Sequence, residues 1–227
     1  MARFAVALFS LGACIPIPTP ATPQAPSQPA CYDLKEEKDK VAPLFLARGN
    51  EARDRALYAE NQRLMGSTTT FGDAVFAVWT SELKEARDCY DRALRVLPDS
   101  YDAEMGLGII YFLAGVRSDA NGALSLYSTA RQHFGRSYFL RSDQHDALLY
   151  LAFISILERR FEQANQILDH LQRVNHRPGE VMVLRGYAAE LSRNPSQARQ
   201  HFQKAIEVGA TSSTLSYANL KLRGPQP

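Results

Sequence analysis

A chain of 227 residues, 45% of them hydrophobic and 22% charged, has enough apolar material to bury a core and too mixed a composition to stay unfolded. Its 26 basic and 24 acidic residues leave a formal charge of +2, too weak a field to hold a polyanion, which argues against a nucleic-acid or acidic-membrane binder. The three cysteines, Cys14, Cys31 and Cys89, include no C-x-x-C pair, which argues against a disulfide scaffold or a zinc site; were Cys14 otherwise consumed, Cys31 and Cys89 would remain a conceivable pair in an oxidising compartment.

Residues 1–13 have the order of a signal peptide: the basic Arg3, the short apolar run Phe4 to Leu11, then the small residues Gly12 and Ala13. The run falls well short of the roughly 20 residues that span a bilayer, so a permanent transmembrane helix is not expected there. Leu11-Gly12-Ala13-Cys14 resembles the bacterial lipobox. That resemblance implies a lipidated Cys14, palmitate-type acyl chains and a membrane anchor, each buried methylene contributing about 0.8 kcal/mol. The alternative is a plain secretory leader and a secreted or periplasmic soluble protein. Residues 14–31 hold Pro16, Pro18, Pro20, Pro23, Pro26 and Pro29, which forbid helix and core strand and predict an extended tether.

Residues 32–66 are expected to form a charged N-terminal helical segment, one helix or a pair, with Leu34, Val41, Leu44, Phe45, Ala52, Ala56 and Leu64 available for its inner face. Pro43 marks a break or a helix start. Beyond residue 32 the apolar positions recur at helical spacing with no run of alternation, so the class is all-α, with residues 67–223 as the repeat domain.

Four segments share one pattern of small and bulky residues. Ala86, Tyr90, Ala93 and Pro98 stand in the frame A-x3-aromatic-x2-A-x4-P; Ala123, Tyr127 and Ala130 keep its spacing; Ala164, Leu168 and Leu171 are an aliphatic version; Ala198, Phe202 and Ala205 are close to ideal. Ala164 and Ala198 lie 34 residues apart. Upstream of these segments, Leu107-Gly108-x2-Tyr111 is a good first-helix match, Leu148-x2-Leu151-Ala152 a fair one, and Met182-x3-Gly186 keeps the glycine. The chain thus resembles the tetratricopeptide repeat family, whose 34-residue unit is an antiparallel helix pair. The resemblance implies an α-solenoid of three to four repeats over about residues 67–210, with the N-terminal helix before it and a capping helix, Thr214 to Leu222, after it. Phe71, Val75, Val78 and Trp79 form the divergent first helix of the first repeat in this reading, Gly115 to Gly122 lengthens one turn, and Phe134 to Ser142 lengthens the link to the third repeat.

In that family the first helices line a concave surface that holds a peptide or helix. Carried onto this sequence, the surface falls on Met105, Ile109 and Phe112, then Leu149, Phe153 and Ile156, then Val183, Tyr187 and Glu190. The lining is apolar and lacks the basic residues with which family members clamp the carboxylate ends of chaperones. Either the protein's own N-terminal or terminal helix fills it, or an amphipathic partner segment does.

The chemistry-bearing residues do not converge in sequence. His133, His145, His170, His176 and His201 fall in no metal-ligand frame, no serine lies in G-x-S-x-G, and no glycine-rich phosphate loop occurs. No catalytic residue, metal or cofactor is therefore assigned. The function expected is a non-catalytic protein–protein interaction scaffold, lipid-anchored in the bacterial cell envelope, facing the periplasm or at the outer membrane, that serves assembly or secretion through an envelope protein or apolar helix. The alternative is an accessory binding protein for an apolar small ligand, linked to a transporter.

Overall fold

The computed structural model describes residues 38–64 and 72–223, with side chains at 41–57, 80–211 and 214–223. The described residues form nine helices and no strand: α1 (Lys38–Leu64), α2 (Gly72–Val96), α3 (Tyr101–Arg117), α4 (Ala120–Leu140), α5 (Asp146–Leu157), α6 (Phe161–Arg173), α7 (Pro178–Leu191), α8 (Pro195–Glu207) and α9 (Ser212–Arg223). Neighbours in sequence pack as hairpins, α1 on α2, α3 on α4, α5 on α6 and α7 on α8, and α9 lies against α8. No described helix is long and apolar enough to cross a membrane.

Helix ends follow local chemistry. Ser100 caps α3 by accepting a hydrogen bond from the Ala103 amide, Asp119 caps α4 through Gly122, and Asn194 caps α8 through Gln197, each satisfying a donor that the first turn leaves free. Pro178 and Pro195 open α7 and α8, where a missing N–H costs nothing.

A 34-residue interval recurs in the backbone. Arg159, between α5 and α6, has φ 60°, and so does Arg193, between α7 and α8. Asn175 after α6 has φ 52° and Gly209 after α8 has φ 78°, again 34 residues apart. The two Arg turns close alike: the Arg160 amide donates to the Ser155 carbonyl at 2.8 Å, and the Asn194 amide to the Ala189 carbonyl at 2.9 Å. This long bond around a left-handed residue satisfies a carbonyl that the helix end would otherwise orphan.

Between helices, an aromatic ring is pressed onto a helix backbone. A Cβ on Gly106 would lie 2.3 Å from the Tyr90 ring, one on Gly108 2.6 Å from Phe134, and one on Gly186 2.6 Å from Phe202. Glycine is required there because the ring occupies the space a side chain would need. In the third hairpin Ala152 and Leu168, both fully buried, stand in the small and bulky places.

The first hairpin departs from the pattern expected of the sequence. Helix α2 is continuous, with no glycine or proline after Gly72 to break it, and its packing partner is α1. The stretch expected to be a separate first helix is therefore the first half of α2; Phe71, and the side chains of Val75, Val78 and Trp79, lie outside the described residues. Helix α1 runs through Pro43, five residues past its start, where only one early-turn hydrogen bond is lost. Val41, Phe45, Ala52 and Ala56 are buried as expected, whereas Leu44 is 43% exposed; Leu34 and the Leu64 side chain lie outside the described residues. Arg48 meets Glu85 at 2.6 Å, Arg55 meets Glu82 at 2.8 Å, and the Tyr90 hydroxyl donates to Asn50 at 2.7 Å across the hairpin.

The second hairpin also differs from the sequence pattern. Residues expected to lengthen a turn and a link are helical: α3 extends to Arg117, only Ser118 and Asp119 separate it from α4, and α4 runs on to Leu140. Gly115 is a close-approach residue rather than a turn residue, since a Cβ there would lie 2.6 Å from the Tyr127 ring.

Candidate interaction face

The odd-numbered helices α3, α5 and α7 are buried over most of their circumference, while α4, α6 and α8 bury one stripe and expose the rest. The candidate lining residues sit on those inner helices. Ile109, Phe112, Leu149, Phe153, Ile156 and Val183 are buried; Met105, Tyr187 and Glu190 are half-buried.

Some of these residues meet across hairpins and others do not. The Phe112 and Phe153 rings lie 5.4 Å apart, and Phe153 meets Tyr187 edge-on at 5.7 Å, so α3, α5 and α7 are joined by an aromatic ladder. Tyr150 joins it from α5, at 5.6 Å from Phe112 and stacked at 4.7 Å on Phe134 of α4. Such contacts contribute roughly 0.5–1.5 kcal/mol each beyond the area they bury.

At the α7 end the ladder turns polar. The Glu190 carboxylate pairs with the Lys221 ammonium of α9 at 2.8 Å, with side chains 29% and 30% exposed, and Lys221 also lies 5.4 Å from the centre of the Tyr217 ring. Burial raises the phenol pKa of Tyr187, with the Glu190 charge adding to the effect, and pushes that of Tyr127 up to about 12. These phenols are neutral hydrogen-bonding groups at any physiological pH. Sequence spacing missed Tyr127, Tyr150 and Lys221 as members of this face. Tyr127 carries a second-helix signature and Lys221 an ordinary capping-helix one, and only the packing of α4 and α9 places them here.

At the opposite end α1 approaches the ladder. It packs on α3 as well as α2, and Arg53 is close enough to Tyr150 for its charge to act on the phenol, which burial raises strongly.

Three of the dispersed histidines converge. His145 lies 5.5 Å from His170 and 5.6 Å from His176, ring centre to ring centre, and His176 Nε2 is 3.0 Å from Asp146 Oδ1. Nδ1 of His145 and Nε2 of His170 are buried without a hydrogen bond. No linear frame reveals this group, because its members come from the start of α5, the last turn of α6 and the turn beyond. Among the described residues no three His, Cys, Asp or Glu side chains are placed to hold a metal ion.

Largely buried carboxylates tie neighbouring helices together. Glu104 of α3 takes His133 Nδ1 at 2.7 Å and Arg136 Nε at 2.9 Å from α4, and Glu158 pairs with Arg131 and Arg160. Glu180 accepts from the Thr211 amide at 3.3 Å and pairs with Arg177. Each has cationic or hydrogen-bonding partners, as a carboxylate removed from water requires. Two surface depressions, one by Ser216, Asn219, Leu220 and Arg223 and one by Arg159 to Gln163, are open to solvent rather than enclosed. Cys14 and the proline-rich stretch behind it lie outside the described residues.

No family model matches the chain, and no curated protein matches it.

Proposed function

We propose that this protein is a non-catalytic interaction scaffold, a helix-pair array of the tetratricopeptide type that is held at a bacterial envelope membrane by a lipid on Cys14 and engages another envelope protein. The observation that carries the reading is the ladder Phe112, Phe153 and Tyr187, which crosses three hairpins and ends in the half-exposed Glu190–Lys221 pair. Its buried rings make a rigid base. The half-buried lining residues Met105, Tyr187 and Glu190 offer apolar contact and a paired charge, the mixture that receives an amphipathic helix or an apolar peptide with a polar end. A small apolar ligand would call for an enclosed chamber, and the depressions by α9 and by Arg159 to Gln163 are open.

The test is crosslinking and recovery of the full chain from its own membrane, compared with a Tyr187→Ala, Glu190→Lys variant. The variant is expected to lose about tenfold of the recovered partner while its melting temperature changes by only a few degrees, as for removal of an anchor residue at an interface. Equal recovery by both chains would refute the assignment of this face. The anchor is tested by the mass of the mature N-terminal peptide; an unmodified Cys14 ends that clause.

A further inference from the structure

The outer face of α4 is unlike those of α6 and α8. Helix α6 exposes the charged Glu162, Asp169 and Arg173, and α8 exposes Arg199, Lys204 and Glu207, as a helix face that meets water normally does. Along α4 the exposed positions Leu124, Ser128, Gln132, Gly135 and Phe139 carry no charge and fall within about 80° of the helix circumference. Leu124 is 57% exposed and Phe139 84%. Among the described residues of α4 the one exposed ionised side chain is Arg136, beside the stripe and paired with Asp99 and Glu104; Arg131, at the other margin, is paired with Glu158. Helix α4 has 21 residues against 13 in α6 and 13 in α8, and its last turn carries Phe139.

Gly135 sets the stripe further apart. A Cβ on Gly106, Gly108, Gly115 or Gly186 would come within 2.6 Å of an aromatic ring of the same chain, whereas one on Gly135 would meet nothing within 4 Å. Glycine weakens a helix interior, and at Gly135 no contact inside the chain requires it. The pattern around it is also symmetric. The midpoint of Leu124 and Phe139 is the midpoint of Ser128 and Gly135, and it falls between Arg131 and Gln132.

We propose that this stripe of α4 receives a second copy of the chain, the two α4 helices lying antiparallel about a two-fold axis between Arg131 and Gln132. Set in this way, Leu124 of each copy lies beside Phe139 of the other, and Ser128 beside Gly135. The small residues near the axis let the two backbones approach, and the bulky ones close the contact at its ends. A two-fold contact needs a patch that complements itself, and an uncharged stripe meets its own copy without repulsion. A strongly charged partner would find no counter-charge on it. Leu124 to Phe139 is about 22 Å of helix, so at a width of about 10 Å the footprint is roughly 220 Å² on each copy, well below the roughly 800 Å² per partner of a stable complex. The dimer is accordingly weak and forms with concentration. Its surface is on α4 rather than on α3, α5 and α7, and it does not depend on the face assigned to those helices.

The test is sedimentation velocity of the full chain in mild detergent, over about 10 μM to 1 mM. The parent is expected to pass from monomer to dimer, and Phe139→Ala to weaken association by about tenfold. Gly135→Leu places a side chain in space that is open in the single chain, so it is expected to abolish the dimer while the melting temperature stays at or above that of the parent. Phe139→Ala changes a surface side chain and keeps the test valid whatever Gly135→Leu does to folding. Leu220→Ala, at an exposed leucine of α9, is expected to leave the dimer unchanged. A photoreactive residue at position 139, in the full chain in its native membrane, is expected to join two copies. A parent that stays monomeric over the whole range, a dimer that survives both Phe139→Ala and Gly135→Leu, or a crosslink from position 139 to a different protein or to lipid would each overturn the proposal.

Discussion

In the α7–α8 hairpin, helices of 14 and 13 residues are joined through a left-handed Arg193, and a single ring, Phe202, is pressed onto Gly186. In the α1–α2 hairpin the helices run for 27 and 25 residues, and the close approach of Tyr90 to Gly49 and Gly106 is reinforced by Arg48–Glu85, Arg55–Glu82 and the Tyr90–Asn50 hydrogen bond. The short hairpin is specified by its turns and one ring; the long one spreads its specification along two faces. Backbone geometry that repeats leaves a repeat in the sequence, whereas distributed contacts do not.

The largest effect that separates these two modes is expected from Phe202→Ala. Removing a fully packed ring should cost about 3–5 kcal/mol in denaturant unfolding, with the loss concentrated in α7 and α8 by hydrogen exchange. Uniform loss of protection across all hairpins would mean that the array unfolds as one block and that the comparison fails. Gly106→Ala comes next. A methyl placed 2.3 Å from the Tyr90 ring must displace it, at about 1–3 kcal/mol, and the ring's bond to Asn50 should weaken with it. A neutral result would show that the first hairpin yields easily at its main contact.

The sequence made the later hairpins readable for a physical reason. Ala164 and Ala198 repeat at 34 residues because Arg159 and Arg193, and Asn175 and Gly209, impose the same turn geometry twice. It misled at Gly115 and at Phe134 to Leu140, where extra residues looked like loop but continue α3 and α4. Nothing in residues 120 to 140 breaks a helix, and Gly115 meets the Tyr127 ring instead of making a turn. It misled again at α2, because a second-helix signature beginning at Ala86 hides the fact that the same helix starts at Gly72 and rests on α1. On the candidate face, the register of Phe112, Phe153 and Tyr187 could be read from the spacing of the repeated pattern, while the convergence of His145, His170 and His176, or of Glu190 with Lys221, depends on distances between hairpins that no local pattern encodes.

A smaller and opposite effect is expected at the turns. Arg193 holds φ 60°, a conformation that costs a residue with a side chain roughly 1 kcal/mol, so Arg193→Gly should stabilise the protein by up to about that amount, measured by the denaturant midpoint. Destabilisation would show that the Arg193 side chain contributes more than its backbone costs. The smallest expected effect is on pH dependence. Burial, and then the charge of Arg185, lower the pKa of His201 below its ordinary 6.5, so the unfolded chain takes up this proton first as the pH falls. The contribution is fully present above 6.5 and is lost as the pH falls through the lowered value. His201→Gln should flatten stability across that window relative to the parent; an unchanged slope would place the dependence on other groups.

Whether the face along α3, α5 and α7 receives another protein is decided by a photoreactive residue placed in turn at Met105, at Tyr187 and at the exposed Gln166 of α6 in the full-length chain in its native membrane. One common crosslinked partner is expected from positions 105 and 187 and none from 166. Crosslinks confined to the chain itself, or equal capture from position 166, would contradict it.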